Sequence, residues 1–73
     1  MTAKEMFEKL GYKKDNRYTQ TIVYKLVENV VLNDGKNIKF GVNRYISFDF
    51  APIINVELYQ AITQQMKELG WIE

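Results

Sequence analysis

Tyr45, Ser47 and Asp49 alternate along the stretch YISFDF, so a strand there would set a phenol, a hydroxyl and a carboxylate in a row on one face. A carboxylate beside a hydroxyl is a first requirement for general-base chemistry, and Asp49 is the acid most firmly placed within a predicted strand. The other ingredients are missing. The chain has no histidine and no cysteine, which removes the side chain that titrates near neutral pH, the thiolate nucleophile and the usual nitrogen and sulfur ligands of zinc. No second acid converges with Asp49 to make a carboxylate pair. Gly11, Gly35, Gly41 and Gly70 are scattered rather than gathered into a phosphate-binding loop. The expectation is a non-catalytic chain with no cofactor and no metal, in which Asp49 is a solvated strand residue.

The elements that position these residues follow from periodicity. In NVELYQAITQQMKELGW, Leu58, Ala61, Ile62, Met66 and Leu69 recur at helical spacing and line one face. Asn55 is placed to cap the N-terminus. Gly70 is placed to end the helix, with Trp71 folding back on Met66. A shorter helix runs over Thr2 to Leu10. Its Thr2 and Glu5 have the spacing of a capping box, Ala3, Met6, Phe7 and Leu10 form its apolar face, and Gly11 stops it so that Tyr12 folds back on Phe7.

Between the helices the pattern changes to strands. Lys13–Arg17 reads as a polar turn. Tyr18 to about Val27 is rich in β-branched and aromatic residues, with Ile22, Tyr24 and Leu26 on one face and Val23, Lys25 and Val27 on the other. Glu28–Leu32 either extends this strand or begins a loop. Asn33-Asp34-Gly35-Lys36 carries a turn signal. Asn37–Val42 and Tyr45–Phe50 read as two further strands, joined by a tight reversal at Asn43-Arg44, and Pro52 sits in the connection to the long helix. The predicted fold is α+β in the order α-β-β-β-α: a three-stranded antiparallel meander with both helices on one face. The predicted core is Met6, Phe7, Leu10, Ile22, Tyr24, Ile38, Phe40, Ile46, Phe48, Leu58, Ile62, Met66 and Leu69.

At 73 residues the chain reads as one domain, residues 1–73, and such a chain buries only about 60% of its unfolded surface. A net charge of +1 gives no overall attraction to nucleic acid or to a membrane surface. No apolar run reaches the roughly 18 residues of a spanning helix, and the N-terminus lacks a signal-peptide pattern. These features imply a cytosolic protein with no membrane partner.

The order of the motifs is informative in itself. MFEKLGY at the start, I-x-Y-K in the first strand, then ISFDF, ELYQAI and the closing KELGW together resemble small uncharacterised proteins of phages and prophages of Firmicutes. The resemblance covers most of the chain and departs from it around Glu28–Lys36. It implies a phage or mobile-element origin and a bacterial cytoplasm, and it brings no activity, cofactor or site residue with it.

With both helices on one face, the second face of the sheet would be open. It would carry Val23, Lys25, Tyr45 and Ser47, a mixture of apolar, tyrosine and charged groups suited to a protein interface. The expected function is therefore that of a phage or prophage accessory protein that binds a host or phage protein through these four residues. A homodimer through the same faces would also enlarge a small core. The alternative is weak nucleic-acid binding by the basic turns, through Lys13, Lys14, Arg17, Lys39 and Arg44. That alternative requires an affinity that falls steeply with added salt, and a mobility-shift assay at low salt that shows no complex with DNA or RNA excludes it.

Overall fold

The computed structural model describes residues 1–28, 31–49 and 53–73, and of residues 28 and 31–36 the backbone alone. The elements are α1 (Ala3–Lys9), β1 (Tyr12–Lys14), β2 (Ile22–Glu28), β3 (Val31–Phe40), β4 (Ile46–Phe48) and α2 (Val56–Glu68). The strands form one antiparallel sheet in the order β1-β2-β3-β4. The fold is α+β, as the sequence implies, with four strands in place of three.

Both helices begin and end where local chemistry places them. In α1 the Thr2 N–H donates to Glu5 Oε1 at 3.0 Å and the Glu5 N–H donates to Thr2 Oγ1 at 3.2 Å, closing the capping box. In α2 the Leu58 N–H donates to Asn55 Oδ1 at 2.8 Å. Gly70, at φ +75°, lets the Gly70 and Trp71 N–H groups return to the carbonyls of Lys67 and Met66, the paired bonds of a Schellman ending. The helices lie antiparallel: the Ala3 N–H at the start of α1 donates to Glu68 at the end of α2, at 2.7 Å.

The added strand is β1. Tyr12–Lys14 pairs with Tyr24–Leu26, so the expected polar turn at Lys13–Arg17 starts later, and β2 begins at Ile22 rather than Tyr18. Three residues carry too little alternation to announce a strand. What holds them is the ladder, which continues on either side through Val27 N–H to Gly11 O and Asp15 N–H to Val23 O.

The second departure is at Asn33–Lys36, expected to turn. These residues lie within β3, and Glu28 pairs with Val31, so the hairpin closes there instead. Between the pairs Lys25–Asn37 and Val27–Leu32, β2 advances two residues while β3 advances five. The turn-forming residues thus re-register the ladder as a bulge rather than ending it. The reversal at Asn43-Arg44 does occur: the Gly41 N–H donates to the Tyr45 carbonyl at 2.9 Å, and Arg44 takes a left-handed φ of 62°, the geometry of a three-residue hairpin loop. Phe50, expected at the end of the last strand, and the connection at Ala51 and Pro52 lie outside the described residues.

The core joins the two helices to one face of the sheet. Ala3, Phe7, Tyr12, Tyr24, Ile38, Phe40, Leu58, Ala61 and Ile62 are buried together, with Met6, Leu10, Ile22, Leu26, Ile46, Phe48, Met66 and Trp71 packed against them. Leu69, expected in this set, is exposed. It is the C-cap residue of α2, where the chain leaves the helical path, and Trp71 reaches inward instead, its ring 6.2 Å from Phe40. Phe7 and Tyr24 stack at 4.0 Å between centroids, and Tyr12 and Phe40 each meet Phe7 edge-on.

The Tyr24 hydroxyl donates to Gln65 Oε1 at 2.6 Å, and both side chains are buried. Burial first, and then the carboxylates of Glu68 and Glu8, push the Tyr24 phenol up to about 12. Tyr24→Phe leaves the Gln65 oxygen buried without this donor and is expected to cost about 1–3 kcal/mol, whereas Tyr24→Phe with Gln65→Leu recovers much of the loss; urea melts of the three variants check this. The phenol also sets an alkaline limit. In the unfolded chain it ionises near its ordinary value of about 10. Stability is therefore expected to decline from about pH 10 to about pH 12, and denaturation of Tyr24→Phe should lack that component.

Candidate interaction surface

The second face of the sheet is more closed than the alternation implies. Val23 is 1% exposed, so the first of the four expected contact residues is not available at the surface. Val23 stands opposite Lys39 in the β2–β3 ladder, with Lys25 one step along the same face. Long lysine stems lie readily along apolar surface while their heads stay polar.

Both lysines are anchored. Lys25 Nζ lies 3.4 Å from Asp15 Oδ2, and Lys39 Nζ lies 3.5 Å from Asp49 Oδ2. Asn37, pointing to the same face, donates from Nδ2 to Asp49 Oδ2 at 3.0 Å. Asp49 is thus an exposed member of this polar lattice rather than a solitary solvated acid.

Of the other expected contacts, Ser47 is half-buried and Tyr45 is 53% exposed. The Tyr45 ring occupies the space that a side chain at Gly41 would need. Any larger residue at position 41 would displace the ring, which explains the glycine at a strand end. Tyr45 and Ser47 remain at the surface on β4 and its approach, but the four residues do not form one open patch.

The five basic residues of the nucleic-acid reading are likewise dispersed. Arg17 grips Asp15 through two parallel contacts, Nε to Oδ1 at 3.0 Å and Nη2 to Oδ2 at 2.7 Å, and its own N–H donates to Oδ1 as well. Lys39 is held by Asp49. Lys13 and Lys14 are neighbours on β1 and so point to opposite faces of the sheet. Arg44 is exposed at the β3–β4 loop. Two of the five charges are therefore balanced by carboxylates of the chain, and among the described residues the five do not form one continuous track.

A different surface emerges on the outer side of the helices. Ile53 is 94% exposed, and Ile54, Val56 and Tyr59 are each at least half exposed. Ile53 and Ile54 lead into α2, and Val56 and Tyr59 sit on its outward side, away from Leu58, Ala61, Ile62 and Gln65. No charged residue lies between Glu57 and Lys67, so the outward side of α2 offers Gln60, Thr63 and Gln64 where a solvated helix usually carries charge. Met6 of α1 joins this side. A shallow groove of about 270 Å³ is lined by Met6, Tyr59, Gln60, Thr63, Gln64 and Lys67. A second, of about 160 Å³, shares Met6 and Gln60 and is lined further by Met1, Lys9, Leu10 and Glu57. Both fall below the usual several hundred cubic ångströms of a small-molecule pocket.

Sequence reasoning passed over this surface because each residue has an ordinary place on a polar helix face. The signal available was the missing charge from Leu58 to Met66, together with isoleucines just ahead of the cap. Among the described residues no three of Asp and Glu gather as a metal-ligating group, and no helix is long and apolar enough to cross a membrane. Comparison of the chain with protein-family models, with curated proteins and with solved structures finds no match.

Two outcomes follow from the sheet face. Val23→Asp places an unpaired carboxylate in a buried site and is expected to destabilise the fold by about 3 kcal/mol or more, read as a large drop in the urea midpoint, whereas Tyr45→Lys, at an exposed position just before β4, should cost far less. The Arg17 hydrogen bonds, with Lys25 adding, hold the Asp15 carboxyl well below the usual carboxylate range. Its contribution to stability is then present above the ordinary value of about 4 and lost as pH falls below it. Asp15→Asn is expected to flatten the acid limb of a stability–pH profile; an unchanged limb would refute the role given to this cluster.

Proposed function

We propose that this chain is a non-catalytic accessory protein of a phage or prophage that works in the bacterial cytoplasm by binding a host or phage protein. The observation that carries the reading is the exposed outer side of α2, where Ile53, Ile54, Val56 and Tyr59 are presented to solvent and no charged residue lies between Glu57 and Lys67. Interface cores are depleted in charge and enriched in tyrosine and methionine, and this side combines Tyr59 and Met6 with neutral polar groups. The phage origin is supported by the motif resemblance described above. The contact surface proposed here is the helical side rather than the sheet face of Val23, Lys25, Tyr45 and Ser47, because Val23 is buried and Lys25 is held by Asp15.

The interaction reading is favoured over the nucleic-acid alternative because Arg17 and Lys39 are already paired with Asp15 and Asp49. A second copy of the chain could occupy the same side, and size-exclusion chromatography with light scattering separates that case from a foreign partner.

The test is affinity capture from a bacterial lysate, with and without nuclease, using the wild-type chain, the double variant Val56→Lys/Tyr59→Lys and Tyr45→Lys. A discrete protein that survives nuclease is expected with the wild-type chain and with Tyr45→Lys. It should be lost, or weakened at least tenfold, with the double variant, whose thermal unfolding should match the wild type. Equal capture by the double variant would remove the helical side as the contact, and capture abolished by nuclease would favour the basic residues.

A further inference from the structure

We draw no further inference here: the strongest candidate, the pair of shallow grooves along the outer seam of α1 and α2 around Met6 and Gln60, belongs to the surface already described, and nothing in the structure shows which partner covers it.

Discussion

The stack of Phe7 on Tyr24, closed at its far end by the Tyr24–Gln65 hydrogen bond, is the contact on which the rest of the molecule depends. It joins α1, β2 and α2 in one small volume. Phe40 of β3 meets both rings edge-on, and Tyr12 of β1 meets Phe7, so four of the six elements pass through this cluster or touch it directly, and α2 adds its polar anchor. In a chain with no disulfide and a limited core, a few large aromatic side chains supply much of the buried area. The hydrogen bond adds direction: a buried phenol needs an acceptor, and Gln65 provides one only when α2 lies at the right rotation over the sheet.

That constraint explains how a first helix as short as α1 persists. A seven-residue helix is far below the length at which an isolated helix holds together in water. Its start is secured twice, by the capping box and by the Ala3–Glu68 bond to α2, and its buried residues Ala3 and Phe7 face the cluster. The antiparallel helix pair therefore acts as one layer. Its inner side is committed to the sheet, which leaves Val56, Tyr59 and Gln60 of α2 at the surface.

The two sides of the sheet follow different physics. One is filled by aromatic and aliphatic side chains. The other carries the buried Val23 and pairs of opposite charges, Asp15 with Arg17 and Lys25, and Asp49 with Lys39, with Asn37 donating to Asp49. Exposed ion pairs add little net stability. A face that reads as open by alternation carries a buried valine and a set of paired charges. Two of the charges that would attract a polyanion, Arg17 and Lys39, are engaged with carboxylates there.

The sequence by itself determined whatever depends on neighbours a few residues away. Thr2 with Glu5, Asn55 with Leu58, and Gly70 with Met66 and Lys67 act within one helical turn or so, and the ends of both helices are legible for that reason. The core stripe of α2, the hairpin at Asn43-Arg44 and the α+β class follow likewise from local spacing. Only the tertiary structure decided what requires a partner far along the chain. β1 exists because β2 offers it a ladder, and Asn33–Lys36 becomes a bulge because the hairpin closes beyond it. Gln65 is drawn inside by a tyrosine 41 residues away, and Val23 is buried although alternation puts it on the face away from the helices. Periodicity states which side of an element a residue lies on. Whether that side meets water, a charge lattice or an aromatic ring is settled when the strands and helices pack together.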